Sequence, residues 1–201
     1  MSEDRLERCP WVGKQQIYID YHDEEWGVPI KDDLTLFKKL VLEGFQAGLS
    51  WITILNKRER FVHCFDGFDP HKIVRYGPEK VEELMLDEGI VRNRSKIEAT
   101  IGNARAYQEL IEQQSLGSFF WDFVDGETLD NKIGRISDVP AKTALSEKIS
   151  KALKQKGFRF CGPVGVYALM QSAGLVNDHL VDCHRYEPCR QLAKDFAAPV
   201  S

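Results

Sequence analysis

The chain has 201 residues, 43% of them hydrophobic and 29% charged, which is the composition of a globular protein with material for one sizeable core. No apolar run approaches the roughly 20 residues of a membrane span, and the opening MSEDRLERCP is too charged for a secretory signal, so a cytoplasmic protein with reduced cysteines is expected. A net charge of −4 argues mildly against a nucleic-acid partner. Phosphates are met by one face only, however, and basic residues cluster at Arg92, Arg94 and Lys96 and again at Lys148, Lys151, Lys154, Lys156 and Arg159.

In chain order, the first informative stretch is CPWVGKQQIYIDYHDEEWG, which crowds Trp11, Tyr18, Tyr21 and Trp26 between and beside Cys9 and His22. Within it QIYIDYH (16–22) alternates and reads as a short strand or an extended arm. Leu34, Phe37, Leu40 and Val41 then form a stripe that predicts a helix over 34–46, with Asp32 or Asp33 as its cap. Glu43 falls at the edge of that stripe, where a carboxylate is either paired or functional. Val81, Leu84 and Met85 make a shorter helix ended by Gly89, and Ile97, Ile101, Ala104 and Ile111 repeat at helical spacing.

The segment 124–141 is the least regular and reads as a long connection. Leu145, Ile149 and Leu153 follow as a helix capped by Thr143 and stopped near Gly157. The hairpin GFRFCG, bounded by Gly157 and Gly162, leads into a helix opened by Pro163 that runs to Gly174. A hairpin of this form either joins two core helices or aims backbone N–H groups at a phosphate, with Arg159 and the preceding lysines adding charge. From about Arg190 the chain reads as a loosely held tail. The expectation is one mainly helical domain over 1–201, with its core over about 8–185.

Near the end, GLVNDHLVDC puts His179 four residues before Cys183. With Cys9 and His22, thirteen residues apart, these complete a Cys2His2 set suited to zinc, although His184 and Cys189 are rival ligands. Four protein ligands leave no open position, so such a zinc is structural and clips the first residues to nearly the last. The aromatics with Glu43 and Trp51 can build a slot for a flat ring. Stacking there is worth roughly 1–3 kcal/mol per base, and a cationic ring gains about 0.5–2 kcal/mol more.

CPWVG, YIDYHDEEWGVP, LEGFQAGLSWITIL, FDP, GIVRNRSKIEATIGNARAY, GFRFCGPVGVYALMQSAG and GLVNDH, spanning about 8–183, closely resemble the bacterial 3-methyladenine DNA glycosylase I family. The resemblance implies an all-α fold of the helix-hairpin-helix DNA glycosylase superfamily and excision of 3-methyladenine from alkylated double-stranded DNA. It implies structural zinc on Cys9, His22, His179 and Cys183. It puts the base-contacting glutamate at Glu43 and pocket aromatics at Tyr21 and Trp51, with Trp11, Tyr18 and Trp26 around them. Gly48 and Leu49 fall where the family fills the gap left by the extruded nucleotide.

Glu43 and Tyr21 are therefore the candidate catalytic pair, and Gly48, Leu49, Gly157, Arg159 and Gly162 the candidate DNA contacts. Related helix-hairpin-helix glycosylases carry a catalytic aspartate in a VDTH-like stretch. Here VNDH (176–179) puts Asn177 in its place and offsets Asp178 by one, so no catalytic aspartate carries over, and Asp178 stays only a candidate water-activating group. A monomer is the default expectation. Two other readings keep part of this pattern: a non-catalytic, zinc-stapled DNA-binding module, which does not need Glu43, and a zinc hydrolase, which needs an open metal position.

Overall fold

In the computed structural model of the chain, described over residues 6–197, the alternating stretch QIYIDYH is helical rather than extended. Helix α1 (Gln16–Asp20) runs straight into a wider, π-type turn, Tyr21–Glu25, closed by the Trp26 amide on the Tyr21 carbonyl at 2.9 Å. Ile17, Tyr18 and Ile19 are each half-buried, on different sides of the turn, and so the alternation does not mark one face of a strand. Successive residues of a helix point about 100° apart, which lets the adjacent Tyr21 and His22, both buried, serve different sites.

Helix α2 (Asp33–Gln46) is the central element, with buried positions from Leu36 to Phe45. Both aspartates at its start act as caps, on different helices. Asp32 accepts from the Thr35 amide at 2.8 Å and starts α2 itself. Asp33 instead accepts from the Leu116 and Gly117 amides at 3.0 and 2.8 Å, capping a later helix and locking it to α2. Leu34, counted in the stripe, is exposed. Helix α3 (Trp51–Cys64) follows after the AGLS turn, and α4 (Pro70–Ile73), α5 (Pro78–Leu86), α6 (Arg94–Ile111) and α7 (Leu116–Trp121) wrap the same core.

Lys96 does not belong to a basic surface. It is buried on α6, and its Nζ donates to the Phe45 and Ala47 carbonyls at 2.9 and 2.8 Å, satisfying orphan carbonyls at the end of α2. Arg94 pairs with Glu82 and Arg92 with Glu88, so this first basic cluster is internally engaged.

Segment 124–141 carries a short strand, β1 (Leu129–Asp130). It pairs in parallel with β2 (Val176–Asn177), Leu129 opposite Val176. Helix α8 (Ala144–Gln155) starts on a Thr143 capping box with Ser146, and α9 (Pro163–Ser172) packs on both α8 and α2. After α9 the chain turns at Gly174, whose φ is +71° and where an added Cβ would lie 2.5 Å from the Pro29 nitrogen. Only glycine fits both demands. The turn carries the chain from α9 into β2 and the stretch that holds His179.

The expected loose tail is instead helix α10 (Tyr186–Ala197) as far as residue 197. Cys189 is buried, and Phe196 packs on Trp121 with ring centroids 4.4 Å apart. The last part of the expected tail, 198–201, and residues 1–5 lie outside the described residues. No helix among those described is long and apolar enough to cross a membrane.

Beside the main core sits a second apolar cluster of Cys9, Val12, Tyr21, Trp26, Leu55 and Cys183. Trp51 packs against both clusters. The residues of interest gather along that seam.

Candidate active site and metal centre

Cys9, His22, His179 and Cys183 converge as the sequence spacing suggested. All four are buried, and their ligand atoms lie within 4.8 Å of one another. Cys183 Sγ is 3.5 Å from His22 Nε2 and 3.6 Å from His179 Nδ1, and Cys9 Sγ is 3.8 Å from His179 Nδ1. Metal bonds of about 2.0–2.3 Å make tetrahedral edges of about 3.3–3.8 Å, so the four atoms can hold one ion.

The remaining ring nitrogens are also in place. His22 Nδ1 meets Asp23 Oδ1 at 2.7 Å, and His179 Nε2 meets the Trp26 carbonyl at 3.0 Å. Outer partners of this kind fix the orientation of metal-binding imidazoles. The Cys183 thiol is held well below its ordinary range, first by Cys9 beside it and then by His179 and His22, so it presents the thiolate a metal binds. Neither rival ligand joins the set: His184 turns to the Glu7 carbonyl and Asp23, and Cys189 lies near the Trp26 carbonyl. A metal held by all four donors would have no open position, which a zinc hydrolase needs.

The metal cluster shares its aromatics with a cavity of about 210 Å3 lined by Trp11, Tyr18, Tyr21, Trp26, Glu43 and Trp51. This is the scale of a single base rather than of a drug-sized ligand. Trp11 packs edge-on to Trp26 at 5.0 Å and against Tyr18 at 5.2 Å, while Tyr21 and Trp51 lie 5.5 Å apart. All six residues predicted for the slot therefore meet in one place.

Two polar atoms in its walls lack a partner, Glu43 Oε2 and Trp51 Nε1. Buried polar groups are nearly always satisfied, so a pair left open in one slot marks a place for a polar, flat ligand. Glu43 is only 5% exposed. Burial pushes its carboxyl up to about 8, against a smaller opposing pull from Lys39. In the free protein this burial favours the protonated form of Glu43. Tyr21 is raised well above its usual range by burial and by Glu43, and stays a phenol.

The other wall was not legible in the sequence. Gln46, Ala168, Gln171, Ile136, Val139 and Asp178 complete the lining. Ile136 and Val139 come from the segment read as a plain connection, and Ile136 is 44% exposed, a large apolar side chain at the rim. Its only sequence signal is an isoleucine in a polar run. Asp178, rather than Asn177, reaches the cavity. Its carboxylate accepts from Asn131 at 2.7 Å, the Tyr167 hydroxyl at 2.6 Å and Gln171 at 2.8 Å. Asn177 accepts from the His179 amide and donates to the Tyr186 carbonyl, both at 3.3 Å, and so braces the turn that carries His179.

The candidate DNA contacts lie at two turns. Gly48 has a φ of +83° with open space around it, and Leu49 beside it is 42% exposed. In the hairpin Gly157 takes a φ of +90°, and the Arg159 backbone is tied to Asn103 by bonds of 2.7 and 3.1 Å. Gly162 precedes Pro163 at the N-terminus of α9. The Arg159 side chain is exposed there, as are Lys151 and Lys154 on α8, and neither lysine has an ion pair among the described residues. Within the second basic cluster Lys156 donates to Gln113 at 2.8 Å and Lys148 lies over the Phe123 ring, whereas Lys151, Lys154 and Arg159 face solvent.

The sequence model of the methyladenine glycosylase family matches residues 11–186. The chain is 48% identical over 184 residues to the DNA-3-methyladenine glycosylase of Haemophilus influenzae, covering 91% of this chain and 97% of that one. It is 48% identical over 182 residues to DNA-3-methyladenine glycosylase 1 of Escherichia coli strain K12, covering 90% and 97%. A solved structure of 3-methyladenine DNA glycosylase I from Staphylococcus aureus, reported for its recognition of 3-methyladenine, superposes with a TM-score of 0.87 at 37% identity, over 90% of this chain and 97% of that one.

Proposed function

The chain belongs to the methyladenine glycosylase family, and from that premise we infer that it excises 3-methyladenine from double-stranded DNA by hydrolysing the N-glycosidic bond. It is a glycosylase of DNA repair, and its relatives are named DNA-3-methyladenine glycosylases. The observation that carries the assignment to this site is the pair of unpartnered buried atoms, Glu43 Oε2 and Trp51 Nε1, in a base-sized aromatic slot. A DNA-binding module without chemistry has no use for a buried, unsatisfied carboxyl group.

The damaged nucleotide is flipped out at a cost of a few kcal/mol, and the exposed apolar Leu49 beside Gly48 suits the gap it leaves. 3-Methyladenine in DNA is a cation. Its charge favours the ionised carboxyl, so Glu43 gives up its proton to solvent as the base enters. Glu43 and Tyr21 bind the base edge, and Trp51 with Trp11, Tyr18 and Trp26 encloses its faces. Neutral adenine lacks the charge that would ionise Glu43 and is held poorly.

Bond breaking passes the electron pair to the base, which departs neutral and needs no general acid. Water adds to C1′ and loses its proton to solvent, leaving an abasic site. The metal we assign to Cys9, His22, His179 and Cys183 is zinc. When bound, it supplies a structural clip and no chemistry.

Incubation with alkylated duplex DNA is expected to release free 3-methyladenine, resolved by chromatography, while the strands stay intact until abasic sites are cleaved separately. Binding without base release would defeat the reading. For the DNA face, Lys151→Glu with Lys154→Glu is expected to weaken binding to damaged and undamaged duplex alike. Removing two phosphate contacts should flatten the slope of log K against log salt by about 2. Titrations at several salt concentrations read both effects.

A further inference from the structure

Lys39 is the buried charge this function has not used. It is 7% exposed, yet among the described residues its ammonium makes no hydrogen bond or ion pair; Arg58 takes Glu25 instead, at 2.6 Å. A lysine with a buried stem keeps its ammonium at the edge of the apolar region, where it acts on neighbouring charges. Lys39 stands four residues before Glu43 on α2, the spacing that puts two side chains on one helix face. Its Nζ lies 5.7 Å from the centroid of the Tyr21 ring. It lines a second cavity, of about 230 Å3, in which Tyr21 and Trp51 recur as walls. Those two aromatics therefore form a partition with the base slot on one side and Lys39 on the other.

We propose that Lys39 is a positioning residue for excision: its ammonium, one helical turn before Glu43 and behind the Tyr21 ring, favours ionisation of Glu43 to the carboxylate that the cationic base requires. This deepens the role assigned to Glu43 and rests on it. The surrounding charges are consistent with that task. Tyr18 and Tyr21 face Glu43 from the first segment and Asp178 from beyond α9, none of them a cation. Glu24 and Glu25 from the π-type turn, Arg58 from α3 and Lys38 from α2 border Lys39 in the second cavity. Lys39 is thus the one cation among the described residues whose field is felt at Glu43. Burial itself holds Lys39 down to about 8, with Glu25 and Glu43 opposing, so its charge is retained at neutral pH.

The test compares wild type, Lys39→Met, Glu43→Gln and the double variant, measuring kcat/KM for release of 3-methyladenine from alkylated duplex between pH 5.5 and 9.5. Lys39→Met is expected to move the acid limb of the profile up by about one pH unit, a tenfold loss at any pH on that limb, with the alkaline plateau unchanged. Lys39→Arg keeps the charge and is expected to leave the limb in place. In the Glu43→Gln background, Lys39→Met is expected to change nothing. Lys39→Gln supplies the same neutralisation if the Met variant shows no cooperative melt. A profile for the neutral variant that superimposes on wild type overturns the proposal. An equal loss at every pH that persists in the double variant also overturns it, because it marks a packing role. If Glu43→Gln alone leaves excision intact, the role of Glu43 fails first, and the proposal with it.

Discussion

Glu43→Gln is expected to slow release of 3-methyladenine by about 100-fold at pH 8 while making the protein more stable. The loss follows from removing a charge-assisted contact made to the cationic base, worth roughly 1.5–3 kcal/mol; at about 1.4 kcal/mol per decade this is one to two orders of magnitude, the upper end applying in a dry slot. The gain follows from the same burial. Glu43 moves from an ordinary 4.5 to about 8 in the folded chain, so the folded state binds its proton more tightly than the unfolded state does.

The stability that belongs to the protonated form is complete below about pH 4.5 and is lost as pH rises toward 8. The loss across that window is several kcal/mol, at about 1.4 kcal/mol for each tenfold change in proton affinity. The neutral amide of the Glu43→Gln variant cannot ionise and escapes it. Urea melts at pH 5, 6.5 and 8 are therefore expected to show the variant's advantage growing with pH. Parallel curves for the two proteins, or excision at the wild-type rate, would remove Glu43 from its assigned place. The opposition is physical: the group that recognises the lesion is one the fold would rather not bury.

This tension also explains what the sequence disclosed and what it withheld. Glu43 stands out because it sits on the margin of a strong apolar stripe, and the metal set stands out because cysteine and histidine are scarce and their spacings are short within each half. Both signals are local. Lys39 and Lys96 give no such sign. A lysine on a helix reads as solvated, and only the packing of distant segments reveals that one is buried behind Tyr21 and the other binds the end of α2. Asp178 is one position from Asn177, and only the turn that Asn177 braces decides which of the two enters the cavity.

The first segment misleads for a related reason. Alternation is a strand signal where one face is buried, and residues 16–22 are instead surrounded by Trp11, Trp26, Trp51 and the metal cluster. Helix α10 escapes a reading of the sequence because it is mostly polar. Tyr186, Cys189 and Phe196 hold it to the protein through partners, such as Trp121, that lie far away in the chain.

Removing the metal is expected to produce the second large effect, and to abolish excision without touching its chemistry. Structural zinc supplies about 10–16 kcal/mol of binding free energy in small zinc modules. Here Cys9 and Cys183 belong to the second apolar cluster and His22 and His179 pack on its tryptophans, whereas the main core around α2, α6 and α9 contains none of the four. Chelation, or Cys183→Ala, should therefore loosen one part of the molecule before the rest. Far-UV circular dichroism is expected to keep most of its helical signal. Tryptophan fluorescence should change strongly, since Trp11 and Trp26 pack on His22 and His179 with centroids 5.3 and 4.6 Å apart.

Base excision should then disappear, because those tryptophans and Tyr21 are walls of the slot. Mass spectrometry under native conditions is expected to find one zinc per chain in the wild type and none in the variant. A variant that had lost its zinc but kept its fluorescence and its excision rate would mean that the cluster is incidental. Loss of excision with fluorescence and melting unchanged would place the metal in the reaction itself. The geometry opposes that second outcome: four protein ligands surround the site, and the ring nitrogens that do not face the metal are committed to Asp23 and the Trp26 carbonyl. What the ion would fix is the angle at which residues 9–26 lean over α2, and with it the width of the slot above Glu43.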